Sequence, residues 1–288
     1  QVAVTVLEIA LILVFVAAGA VRGDPSRLLE APPFGSIDTP AFAVALVYVS
    51  FAYSGWNAAV YLAGEVRNPA RTLSRALLFG TCVVVGLYLA LNVVFLAAAP
   101  AGELAGVVEV GHVVAVRLLG PRAGRALSVV IALVLAASVS AMLMAGPRVY
   151  ERMGVDHPRL AVLARRTRGR GPAVAVALQA AMAIAMIATS TFAALLVYVG
   201  FTLSLVAGLG VLGVVVLRRR EPGLARPARA WGYPATPLLF VALSAWMIVH
   251  ALVQNPASCW AGVATAIGGL ALHGVLGRPG GRAAAPVA

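Results

Sequence analysis

Apolar residues run along this chain in long unbroken blocks, separated by short stretches that hold nearly all of its charge. A helix that crosses a bilayer needs about 20 predominantly apolar residues. Eight blocks meet that length, at about 2–21, 41–63, 74–98, 126–146, 172–190, 192–217, 237–254 and 258–276. Only Thr189-Ser190-Thr191 separates the fifth block from the sixth, which predicts a tight helical hairpin. The loop at 99–125 is longer, and its mixed stretch VVEVGHVVAVRLLG (107–120) predicts a short amphipathic helix on the outer surface, either a gate or a plain interfacial helix. The segment at 218–236, RRREPGLARPARAWGYPAT, is too rich in Pro and Arg for a long helix and is expected along the inner face, with Trp231 and Tyr233 at the aromatic belt.

Composition turns that pattern into a class. The 288 residues are 61% hydrophobic and 11% charged, against about 45–50% and about 25% in soluble domains. The reading is an all-α integral membrane protein, with residues 1–277 as one membrane domain and 278–288 as a tail. All 22 basic residues are arginine, and with 10 acidic residues the net charge is +12. The arginines cluster between apolar blocks without interleaved aromatic residues, so they set membrane topology and do not bind nucleic acid. Seventeen fall in the loops after even-numbered blocks and five in the others. The positive-inside rule then puts the first side, and the C-terminus, in the cytoplasm of a multi-pass protein of the cell membrane. Cys82 and Cys259 lie within apolar blocks as small packing residues, His250 and His273 read as packing or interfacial residues, and no Cys/His spacing suits a metal. No cofactor is implied. The first apolar block starts at once after Gln1, which raises the expectation of further helices upstream.

The second block contains the anomaly. FAYSGWNAAVYLAGEVRNPART (51–72) begins as a membrane helix but carries Ser54-Gly55-Trp56-Asn57 in its middle. Gly costs about 1 kcal/mol in a helix relative to Ala, and Ser and Asn are also poor formers. Gly55 alone suits close helix packing; the cluster marks a place where backbone can leave the helix. Such backbone survives at membrane depth only when it is buried in protein or lines a cavity. Interrupted helices of this kind hold substrates in transporters. An α-amino acid fits one well, because its ammonium seeks carbonyls and its carboxylate seeks amide N–H groups. Asn57 then either contacts substrate or ties the half-helix to its neighbours, since a buried amide needs a partner. Trp56 reads as a packing or pocket-wall residue. Pro69 is expected to stop the helix and to push Asn68 out of the α region, leaving Glu65, Arg67, Asn68 and Pro69 as a structural exit.

Four segments carry a family resemblance. FAYSGWNAAVYLAGEVRNPARTLSRAL (51–77) resembles the sixth helix and following loop of the amino acid–polyamine–organocation transporters, most of all their L-type amino acid transporter branch. AGPRVYERMGVDHPRL (145–160) resembles the end of the eighth helix, YVGFTLSLVAGLGVLGVVVLRRREP (198–222) the tenth helix, and RPARAWGYPATP (226–237) the loop before the eleventh. The order is the family's own, over most of the chain. The resemblance implies a partial inverted-repeat transporter fold with broken helices, its eight spans corresponding to the family's fifth to twelfth, and the other broken helix upstream of Gln1.

It also implies roles. Phe51 falls where the family has an aromatic residue that closes over substrate; the alternative is a lipid-facing or packing Phe. Ala52, Tyr53, Ser54 and Gly55 fall on the unwound stretch whose carbonyls hold the substrate amine. Ser204 falls at the position that shapes the side-chain pocket, and its small size suggests a roomy one. Ser138, with Ser140, lies on the helix that packs against the site, where a hydroxyl can also bond back to its own helix. Glu8 lies within the first span, where several relatives have a Lys that stands in for a sodium ion. An ionisable residue at membrane depth is a functional candidate; Glu8 could carry a proton, pair with an upstream arginine or lie at the interface. Coupling to protons or to sodium stays open. The function implied is secondary transport of amino acids or related amines by alternating access. Two alternatives are a truncated chain without transport of its own and, remotely, an intramembrane hydrolase built on Ser54 and a histidine.

Overall fold

The computed structural model describes residues 2–29, 38–56, 59, 66, 68–166, 171–223 and 231–277. Among them there is no strand. Among the described residues the α-helices of ten residues or more are α1 (Val2–Arg22), α2 (Thr39–Ala52), α3 (Pro69–Ala98), α4 (Val110–Leu119), α5 (Pro121–Asp156), α6 (Ala173–Thr189), α7 (Phe192–Arg220), α8 (Ala235–Gln254) and α9 (Pro256–Leu276). Among the described residues, each of the eight expected blocks contains a helix, although the second, 41–63, is helical only to Ala52 before the chain departs from helix, and its residues 57, 58 and 60–63 lie outside the described residues. Six helices (α1, α3, α5, α7, α8 and α9) are long and apolar enough to cross a membrane, while α2 and α6 are shorter apolar helices of 14 and 17 residues.

Local chemistry sets several of the ends. Pro69, Pro121 and Pro256 open α3, α5 and α9, where the missing N–H costs nothing. Pro69 therefore starts a helix; the stretch at 60–65, where the helix it was expected to stop would end, lies outside the described residues. Helix α2 itself ends at Ala52, and beyond the break Trp56 and Ala59 are again helical. Asn68 adopts φ 53° and its carbonyl accepts from Arg71 and Thr72 N–H at 3.2 and 3.1 Å, so it caps α3. Between α6 and α7 the chain is extended at Ser190, and the Thr191 hydroxyl accepts from Ala194 N–H at 3.3 Å, which makes the hairpin break at the expected place. The fourth expected block, 126–146, is too short: α5 runs through the buried Pro147 to Asp156, where Arg152 and Asp156 pair at 3.1 Å one turn apart. Residues 57, 58, 65, 67, 224–230 and 278–288 lie outside the described residues, and with them Asn57, Glu65, Arg67, the middle of the arginine-rich inner segment and the tail.

The chain divides into two compact units, Gln1–Ser36 with Ala76–Met144 and Ile37–Arg75 with Ala145–Ala288. In the first, Phe15 of α1, Val94 and Ala98 of α3, and Val114, Ala115 and Leu118 of α4 form the core. Gly19 lets α1 meet α3 closely, since a Cβ there would lie 2.4 Å from Val94 Cγ1. The α4 helix matches the short helix expected within 107–120, but its Val114, Ala115 and Leu118 are buried in that core. Arg22 and Arg27 donate to the carbonyls of Leu118 and Ala98 at 2.8 and 3.0 Å, tying loop and helix ends together. In the second unit α2, α7, α8 and α9 pack on one another around Val47, Val197, Phe201, Met247, Ala251 and Cys259. His250 meets Trp246 edge to face at 5.2 Å, and His273 meets His157 at 6.3 Å, so both histidines are packing residues. Arg218 stacks its guanidinium 3.9 Å from the Tyr233 ring centroid, whereas Trp231 is almost fully exposed.

Candidate functional site: an interrupted helix in the second unit

Helix α2 is apolar over its whole length and still stops after 14 residues. Tyr53 N–H closes the last α-type bond, to Val49 O at 3.1 Å, and Ser54 N–H then makes a tighter bond to Phe51 O at 2.9 Å. Gly55 turns the backbone to φ 102°. An L-residue reaches that region only with strain. A Cβ on Gly55 would meet nothing within 4 Å, so backbone conformation alone requires the glycine. Trp56 follows in helical conformation and is 52% exposed. The chain thus leaves the helix over Tyr53–Gly55, where Ser54 and Gly55 are neither helix nor strand. A helix end disrupts the regular pairing of its last carbonyls.

The neighbour that positions this end is α7. Gly200 sits against α2 one turn before the break: a Cβ there would lie 2.7 Å from Val47 Cγ1, 3.2 Å from Val47 O and 3.7 Å from Phe51 Cβ. The two backbones therefore touch beside half-buried Phe51. Gly262 performs the same service between α9 and α7, against Phe201 and Thr202. Ser204 lies one turn beyond Gly200, about 6 Å along the axis. It is only 7% exposed, and its hydroxyl has no hydrogen-bond partner among the described residues. A buried hydroxyl without a partner costs about 1–3 kcal/mol, so Ser204 carries an unmet polar demand on the helix that holds the break.

Of the residues expected at the site, Phe51, Ala52, Tyr53, Ser54, Gly55 and Ser204 all belong to the second unit, the first five on or just after α2 and the last on its packing partner. Glu8 and Ser138 belong to the first unit, on α1 and α5. Glu8 is half-buried and Ser138 is exposed on α5. Asn57 lies outside the described residues. Gly200 and Gly262 were not anticipated: a single Gly in an apolar helix says that something comes close, but not what. Among the described residues no cluster of three metal-ligating side chains occurs.

Comparison with known proteins matches this arrangement to a family. A family model described as amino acid permease covers residues 1–272. The chain is 26% identical over 271 residues to the large neutral amino acids transporter small subunit 2 of Oryctolagus cuniculus, covering 93% of this chain and 50% of that protein. It is 26% identical over 286 residues to the serine/threonine exchanger SteT of Bacillus subtilis, covering 93% of this chain and 61% of that one. With the Asc-type amino acid transporter 1 of Mus musculus the identity is 28% over 248 residues, 84% of this chain and 46% of the other. The chain therefore spans about half the length of the curated relatives it matches. These are transporters and exchangers, which removes the intramembrane hydrolase from consideration. An all-helical, multi-pass membrane protein with an interrupted second helix, this chain belongs to the amino acid permease family.

Proposed function

We propose that the protein takes part in secondary transport of amino acids or related amines across the cell membrane, by alternating access, with its C-terminus in the cytoplasm. The observation that carries the reading is the departure from helix at Tyr53–Gly55 within an apolar helix of a permease-family chain. Backbone groups there can meet the ammonium of a substrate without any charged side chain, which is how a membrane-depth site avoids the cost of a buried ion. Phe51 covers the bound ligand, Ala52, Tyr53, Ser54 and Gly55 supply the backbone surface, Asn57 contributes its amide, and the Ser204 hydroxyl meets its polar demand in the side-chain pocket. Glu8 and Ser138 are the proposed coupling residues, with a proton or sodium as the coupled ion. The names of the relatives support an amino acid as cargo.

The test is uptake and exchange of radiolabelled amino acids in proteoliposomes containing the complete gene product. Gly55→Pro forces φ to about −65° where the chain needs 102°, and should abolish transport while the protein still reconstitutes. Asn57→Leu should reduce it. Wild-type rates in both variants would show that the break is not the site. A second reading, a chain that acts only together with further segments, is favoured by the partial coverage of its relatives. It predicts no uptake by these 288 residues alone and full uptake by the complete gene product.

A further inference from the structure

Within the second unit a cavity of about 330 Å³ opens between one face of α2 and the corner where α8 gives way to α9. Its lining falls into two parts. Ala41, Val44 and Ala45 form an apolar wall along α2, and Asp38, Tyr48, Gln254 and Asn255 supply the polar groups. Asp38, Ala41, Ala45 and Tyr48 recur at helical spacing, so the cavity follows a single stripe of α2. The volume lies at the low end of the range for small-molecule sites, about 300–1,000 Å³.

Two of the polar groups are in unusual positions. Asp38 is the N-cap residue of α2 and Asn255 is the N-cap residue of α9, and these residue types ordinarily spend their side chains on the first N–H groups of the helix. Neither does so here. Both residues line the cavity, and none of Asp38, Tyr48, Gln254 and Asn255 has a side-chain hydrogen bond or ion pair among the described residues. Among the described lining residues Asp38 carries the sole charge, and the two amides offer oxygens as acceptors. The chemistry selects a small cation with several N–H donors. The Tyr48 ring and the apolar wall suit the aliphatic body attached to it.

We propose that this cavity is a binding subsite for a primary ammonium group borne on a small apolar body, with Asp38 as the counter-ion and Gln254 and Asn255 as further acceptors. It lies at the arginine-poor ends of these helices, and Tyr48, the lining residue nearest the break along α2, precedes Tyr53 by little more than one turn. A substrate amine entering from that side meets the subsite first. Only this waiting role rests on the transport function proposed above; the binding stands without it.

The probe is isobutylamine, which has the ammonium and an aliphatic body but no carboxylate, with isobutanol as the uncharged control. Binding to the detergent-purified complete gene product is read by saturation-transfer NMR. Isobutylamine should bind saturably and isobutanol should not. Asp38→Asn should weaken the amine by roughly tenfold or more, as expected for loss of a charge-assisted hydrogen bond. Asp38→Glu should retain most of the affinity, and Gln254→Leu should lower it by a smaller factor. The Asn variant removes no cap bond, and gel filtration checks that it stays folded. Equal binding by wild type and Asp38→Asn, or no saturable amine binding at all, overturns the proposal. Asp38-dependent amine binding without amino acid uptake would instead sink the transport reading and leave the subsite standing.

Discussion

Gly55 shows what a single residue can fix. Its φ of 102° and the open space around it separate backbone conformation from packing. An L-residue in the left-handed region costs about 1–2 kcal/mol, so Gly55→Ala should lower the thermal unfolding midpoint modestly and Gly55→Val more. Gly55→Asn should lie nearer wild type, because Asn tolerates the left-handed region best. A scan of unfolding temperatures in detergent checks the order; a flat series would mean that the backbone relaxes away from this conformation. Asp24, in the exposed loop after α1, provides a pH signal. Its Oδ1 accepts from the Ser26 hydroxyl at 2.6 Å and from Ser26 N–H at 3.0 Å. These bonds, hydroxyl first, and then the Arg27 charge hold its carboxyl below the usual aspartate range. A depressed folded pKa gives stability that is present above the unfolded value of about 3.9 and is lost as pH falls through the folded one. Hydrogen exchange at Ser26 should therefore accelerate below pH 4, and Asp24→Asn should remove that dependence.

At the scale of the element, close helix contact depends on glycines whose missing Cβ has a named neighbour. Gly200→Val would drive a side chain into Val47 of α2, including its backbone carbonyl at 3.2 Å from the new Cβ. Overpacking of this kind costs about 1–3 kcal/mol. The variant should destabilise the protein by that amount and, because Gly200 sits one turn before the break, should impair uptake beyond its effect on stability. Gly146 in α5 is a contrasting case. A Cβ there would lie 2.3 Å from Gln179 Oε1 of α6. The obstacle is the end of a flexible side chain, so Gly146→Ala should cost little, and its cost should vanish in a Gln179→Ala background. A double-mutant cycle on thermal stability measures the coupling, and additive effects would show that the two residues are not in contact.

For the whole molecule, the uneven arginine distribution is the controlling feature. With seventeen arginines in the loops after even-numbered blocks and five in the others, the positive-inside rule predicts that a cysteine introduced at Gly277 is protected from a membrane-impermeant maleimide in intact cells. One introduced at Asn255, at the other end of α9, should be labelled. The reverse pattern would invert the orientation and with it the side from which the Asp38 cavity opens.

Sequence alone determined the class, the apolar blocks and the family, because these follow from block length, composition and local motifs, whereas the ends of the second and fourth blocks did not match the helices. The weak segment at Ser54-Gly55 was legible for the same reason: poor helix formers in an apolar block are a local signal. Pro69 was read only as a stop, and the start of α3 at this residue came from the structure, since a proline can close one helix or open the next. Contacts between helices were not legible. That Gly200 faces Val47, that Ser204 is buried with its hydroxyl unpaired, and that Asp38 and Asn255 line one cavity instead of capping their own helices all depend on which faces meet. An apolar helix in a membrane protein can be apolar on every side, so periodicity does not mark the face that packs. That face is chosen by tertiary contact.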